Sequence, residues 1–163
     1  MKKILNIKEA ISITKLLRRN GKKIVLVGGC FDILHAGHVT FLKKAKKQGD
    51  VLMILLESDR AIQKIKGRSR PINPQLDRPE VLSELRSVDF IILLPYLKSN
   101  KEYDNLILQL KPHIIATTKG DPNKTHKIRQ AQLIDTQIIE VTERIAKTST
   151  SELAKKILTD YYL

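Results

Sequence analysis

At 163 residues, 42% hydrophobic and 29% charged, the chain has the composition of a single globular domain with one core. Its longest apolar runs, such as Val51–Leu56, are too short to cross a bilayer, and Asn6, Lys8 and Glu9 interrupt the apolar start that a secretory signal needs. The net charge of +13 suits a phosphate-bearing partner, and the lone Cys30 excludes an intramolecular disulfide and points to a reducing, cytoplasmic setting.

Aromatic residues are few and tryptophan is absent, so the core must come from Ile, Leu and Val. Asn6 and Glu9 have capping-box spacing, and Ala10, Ile13, Leu16 and Leu17 recur at helical spacing until Gly21. Residues 24–27 read as a strand, and residues 39–48 as a helix stopped at Gly49. Val51–Leu56 is a continuous apolar run, as expected of a strand covered on both faces. A short helix over 59–64 follows. Asn73-Pro74 predicts the cap and first position of a helix carrying Val81, Leu82 and Leu85 and running to residue 87. Strands over 90–94, 114–117 and 138–141 alternate with helices over 103–110 and 124–133. Ser149 and Glu152 repeat the capping-box spacing and open a last helix through Ile157 and Leu158. This alternation predicts a Rossmann-like α/β fold: a doubly wound, five-stranded parallel sheet with helices on both faces, in one domain over 1–163.

Between the first predicted strand and its helix lies Gly29-Cys30-Phe31-Asp32-Ile33-Leu34-His35-Ala36-Gly37-His38. A strand that turns through glycine into a helix presents free backbone N–H groups and the positive end of a dipole to an anion. His35 and His38, three apart, add imidazole donors at the same mouth. A capping or filling role is the bland alternative for them. Their place behind a buried strand and before a helix favours function.

The segment resembles the G-x-F-D-x-x-H-x-G-H signature of the nucleotidyltransferases related to glycerol-3-phosphate cytidylyltransferase. Cys30 with His35-Ala36-Gly37-His38, Lys66-Gly67-Arg68-Ser69-Arg70-Pro71-Ile72-Asn73-Pro74, Asp77-Arg78 and Val88-Asp89 resemble the adenylyltransferase domain that makes ADP-heptose. Lys64 with Lys66, Arg86, and Arg144 before Thr148-Ser149-Thr150-Ser151 are similar to the cytidylyltransferases, although Lys147 replaces the glycine of that last block. Gly120-Asp121 keeps the family's base-side pair without its aromatic neighbour.

The resemblance implies transfer of AMP from ATP to a phosphorylated sugar such as heptose 1-phosphate, with Mg²⁺ and release of pyrophosphate. A cytidylyltransferase using CTP and glycerol 3-phosphate, or a related polyol phosphate, is the alternative. A nucleic-acid-binding module is a reading of another class, prompted by charge and supported by no motif. The implied catalytic residues are His35, His38, Lys64, Lys66 and Arg144. Those implied to bind nucleotide are Gly29, Cys30, Phe31, Asp32, Gly37, Gly120, Asp121, Thr148, Ser149, Thr150 and Ser151. Asp32 is either a Mg²⁺ ligand or a structural cap of the turn. Lys64, Lys66, Arg68 and Arg70 read as a cation-rich loop, either a lid over phosphate or a solvated surface. Arg78 and Arg86 read as surface charge or as supports and subunit contacts in a homodimer.

Overall fold

The apolar runs become the strands of one parallel sheet in the computed structural model, which describes residues 2–143. In chain order the elements are β1 (Ile4–Leu5), α1 (Ile7–Arg19), β2 (Ile24–Gly29), α2 (Ala36–Lys46), β3 (Val51–Leu56) and α3 (Asp59–Lys66). Then come α4 (Arg78–Ser83), β4 (Phe90–Leu93), α5 (Asn100–Leu110), β5 (Ile114–Lys119), α6 (Lys124–Leu133) and β6 (Gln137–Glu143). The helix expected after Ser149 lies outside the described residues.

The sheet has six strands in the order β1-β4-β3-β2-β5-β6, one more than expected. The addition is β1, where Ile4 and Leu5 pair with Ile91 and Ile92 along β4. Two residues are too few to show a period, so only the pairing reveals this strand.

Successive side chains along the strands enter two different cores, as the period of a strand requires. Ile24, Leu26, Met53 and Leu55 pack with Leu106, Ile107 and Leu110 of α5 and with Ala10 of α1. Val25, Val27, Leu52, Ile54 and Leu56 pack on the other face with Phe41, Leu42 and Ala45 of α2 and Leu82 of α4. Lys43, Lys44 and Lys47 remain on the exposed side of the α2 region.

Helix starts follow their caps. The Glu9 N–H donates to Asn6 Oδ1 at 3.0 Å, and the Asn6 N–H donates to Glu9 Oε2 at 2.8 Å. Ser99 and Glu102 make a second capping box, which starts α5 three residues before the expected position. The helix expected from Asn73-Pro74 to residue 87 begins only at Arg78, behind Asp77, and ends at Ser83. Asn73 is diverted: its backbone N–H donates to Asp32 Oδ1 at 2.8 Å and its side-chain amide to the Asp32 carbonyl at 2.7 Å. A tertiary contact overrides the local capping signal here.

Chain direction across the sheet reverses at β2. From β2 the chain runs outward through β3 and β4, then returns to place β5 on the other side. β2 pairs with β3 as far as Gly29 and Leu56, but with β5 only at Val25↔Ile114 and Leu26↔Ile115. Beyond Leu26 the two strands part, and a crevice opens at their carboxyl ends, where such sheets bind ligands. Among the described residues no helix is long and apolar enough to cross a membrane.

Candidate active site

The crevice is walled by the turn that leaves β2. A Cβ on Gly29 would lie 2.8 Å from Cε2 of Phe31, so a side chain there meets the ring. Phe31 itself takes a left-handed backbone, φ 44°, which turns the chain back and buries its ring. That ring lies 5.3 Å from the His38 ring, and the His38 and His35 rings are 3.9 Å apart.

His35 is the N-cap of α2. Its Nδ1 accepts the Gly37 N–H at 3.2 Å. A neutral imidazole that accepts at Nδ1 carries its proton on Nε2, so His35 is set to donate from that edge. Burial lowers the His35 pKa. Burial, His35 and Lys66 together lower that of His38 to about 4, against a smaller opposing pull from the Ile33 backbone. Both rings are therefore neutral in the ligand-free protein at pH 7. Burial also raises the Cys30 thiol, with Lys66 opposing; Cys30 is a neutral, unreactive lining residue.

A crevice of about 290 Å³ brings these groups together. Gly29, Cys30, Phe31, His35, Gly37, His38, Lys66 and Asp121 all line it. Opposite the histidines, Asp121 accepts from Lys127 Nζ at 2.6 Å and from the Asn123 N–H at 2.8 Å. Burial would raise the Asp121 carboxyl, but hydrogen bonds from Lys127 and Thr117 outweigh it and hold it below the usual carboxylate range. Lys127, Thr118, Thr142 and Glu143 complete the β5–β6 side. Sequence reading missed these four: Lys127 lies six positions from its carboxylate, across the turn from β5 into α6, and Thr118, Thr142 and Glu143 meet only through the pairing of β5 with β6. Gly120 and Lys64 are not among the lining residues. Arg144, Thr148, Ser149, Thr150 and Ser151 lie outside the described residues.

Asp32 takes the structural one of its two readings. It is 3% exposed and faces the segment after α3 rather than the crevice. Arg70 Nε donates to its Oδ2 at 2.7 Å, Arg70 Nη2 donates to the same oxygen, and the Ile72 and Asn73 N–H groups donate to Oδ1 at 2.9 and 2.8 Å. Burial would raise this carboxyl, and the Asn73, Ile72 and Arg70 hydrogen bonds reverse the effect and lower it. Both oxygens are occupied, so Asp32 does not fit as a Mg²⁺ ligand.

The basic loop is also revised. Lys64 and Lys66 belong to α3, and Arg70 is buried on Asp32, which leaves only residues 67–69 between two anchors. Arg78 is not surface charge. It is 2% exposed, with Nη1 donating to the Cys30 carbonyl at 2.5 Å. Its Nη2 donates to the Glu57 carbonyl and to Asp59 Oδ1, both at 2.8 Å. One guanidinium thereby holds the ends of β2 and β3 together under the signature. Arg86 is exposed, in the turn after α4.

A protein-family profile described as cytidylyltransferase-like matches residues 26–156, most of the chain. The chain belongs to the cytidylyltransferase-like family. Within it, the chain is similar to the bifunctional protein HldE of Nitratiruptor sp., at 40% identity over 81% of this chain and 29% of that one. It is 38% identical to the bifunctional protein HldE of Campylobacter jejuni, over 96% of this chain and 32% of that one. The chain thus spans about a third of the length of the curated relatives it matches. Among solved structures it resembles the lipopolysaccharide core biosynthesis protein of Thermoplasma volcanium, with TM-score 0.59 and 29% identity, covering 76% of this chain and 98% of that one. The pantoate–beta-alanine ligase of Francisella tularensis shares the fold, with TM-score 0.64 at 20% identity over all of this chain and 80% of that one.

Proposed function

We propose that this cytidylyltransferase-like chain is a nucleotidyltransferase that moves AMP from ATP onto a phosphorylated sugar such as heptose 1-phosphate. One observation carries the reading. Two neutral histidines stand side by side at the start of α2, with Lys66 beside them, where the sheet reverses. The resemblance of residues 66–74 to the ADP-heptose-forming domain and the likeness to a lipopolysaccharide core biosynthesis protein favour a sugar acceptor over a polyol.

In this reaction an oxygen of the acceptor's phosphate forms a bond to the α-phosphorus of ATP. The bond from that phosphorus to the bridging oxygen breaks, and pyrophosphate leaves with both electrons. The acceptor oxygen is already anionic, so no general base is needed. What the protein must supply is alignment and donors for the charge that develops. The N–H groups at the start of α2, His35 Nε2 and the His38 ring meet the triphosphate, and Lys66 adds a full charge. An arriving triphosphate also raises both imidazole pKa values, which strengthens them as donors. On the β5 side, Asp121 is held by Lys127 for the ribose or base. Arg144 and the hydroxyls of Thr148, Ser149, Thr150 and Ser151 belong to the same proposal as β- and γ-phosphate ligands. The Mg²⁺ that the family resemblance implies would enter with ATP, bound to its phosphates, since Asp32 does not fit to hold it.

The test is pyrophosphate release with Mg²⁺, each of the four nucleoside triphosphates, and a panel of sugar 1-phosphates and polyol phosphates. ATP with a sugar 1-phosphate is the expected productive pair. Turnover only with CTP and glycerol 3-phosphate would replace it with the cytidylyltransferase reading. Absence of turnover with every pair, alongside salt-sensitive binding of nucleic acid, would reject the enzyme.

A further inference from the structure

Beside the crevice, on the side of β2 away from β5, stands a carboxylate that the proposed chemistry does not use. Glu57 follows β3 directly, and its N–H donates to the Gly29 carbonyl at 3.2 Å, which sets it next to the signature turn. Its Oε2 accepts the Tyr103 hydroxyl of α5 at 2.8 Å. Oε1 accepts no hydrogen bond among the described residues, although the side chain is only partly exposed. Burial raises the Glu57 carboxyl, with the Tyr103 hydrogen bond and Arg78 opposing. Oε1 is not among the buried side-chain atoms left without a partner, so it reaches solvent and is open to a donor from outside the protein.

Position restricts what that donor can be. In the proposed reaction the histidines meet the triphosphate at the end of β2, and Asp121 lines the β5 side. The β3 side is left for the acceptor. Lys66 lines the crevice and acts electrostatically on both His38 and Cys30. A phosphate belongs on Lys66 and is repelled by Glu57. A hydroxyl is the complementary group for an oxygen that can only accept. Building on the sugar-phosphate transferase proposed above, we infer that Glu57 and Tyr103 form the part of the acceptor site that takes the sugar's hydroxyl groups. Tyr103 holds the carboxylate in place, and Oε1 receives the hydroxyl.

Calorimetric titration tests this without needing turnover. The probes are mannose 1-phosphate, rich in hydroxyls, and methyl phosphate, which has none. Both are titrated into the whole chain with Mg²⁺ and a non-hydrolysable ATP analogue. The wild type should prefer the sugar phosphate by tenfold or more, the scale of a hydrogen bond to a charged group. Glu57→Gln should erase that preference, with nucleotide binding unchanged and methyl phosphate bound at least as tightly as by the wild type. Tyr103→Phe should weaken sugar binding in the same direction by a smaller factor, and it serves if Glu57→Gln fails to fold. A wild type that binds both phosphates equally, or variants that keep the preference, would overturn the inference. Sugar binding that depends on Glu57, without pyrophosphate release from any pair, would instead overturn the transferase reading and spare this one.

Discussion

His38 titrates far below an ordinary imidazole because it is buried beside His35 and Lys66. A folded pKa of about 4 against about 6.5 unfolded means the unfolded chain binds the extra proton first. The neutral ring's contribution to stability is complete above about pH 6.5 and is lost as pH falls toward 4. His38→Gln removes this titration. Urea midpoints measured from pH 7 to 4.5 should fall more steeply for the wild type than for the variant. Parallel curves would mean that His38 is solvated. Asp32 gives a second prediction. Asp32→Asn leaves the Arg70 guanidinium buried without its counter-charge and should cost roughly 3–5 kcal/mol in urea unfolding, the scale of breaking a buried ion pair. A loss under about 1 kcal/mol would show the pair to be solvated.

Between α3 and α4 the chain is pinned rather than free. Lys66 ends a helix, and Arg70, Ile72 and Asn73 all bond Asp32, so residues 67–69 form a short exposed span. Tryptic cleavage after Arg68 should therefore be slow in the wild type and several-fold faster in Asp32→Asn at a temperature where both are folded. Equal rates would mean that something other than Asp32 holds the segment. This anchoring was not legible in the sequence, because Asp32 and Arg70 are 38 residues apart and no local pattern joins them. Separation along the chain also hid the role of Arg78, whose partners Cys30 and Glu57 lie 48 and 21 residues away. What could be read was local. The strand–turn–helix around His35 and His38 declared itself through an apolar run, two glycines and a helical period. Capping boxes marked α1, and Ser99 with Glu102 would have marked the true start of α5. The Asn73-Pro74 signal misled because the amide was committed elsewhere.

At the scale of the whole molecule, one topological fact organises function. β2 is the strand at which the sheet reverses, and its pairing with β5 stops at Leu26. The signature turn therefore stands over a gap with β3 on one side and β5 on the other. In the proposed reaction that gap would take the triphosphate at the middle, with separate walls for nucleoside and acceptor. The net charge of +13 would favour entry of the two anionic substrates proposed, although Lys43, Lys44 and Lys47 lie on a solvated helix face. The most direct measurement is steady-state pyrophosphate release from ATP and a sugar 1-phosphate by the wild type and by His38→Ala. Circular dichroism would confirm that the variant keeps its fold. Turnover should fall by roughly a hundredfold or more, as when a donor to developing charge is removed. Turnover within a few-fold of the wild type, in a folded variant, would contradict a histidine-centred transfer site.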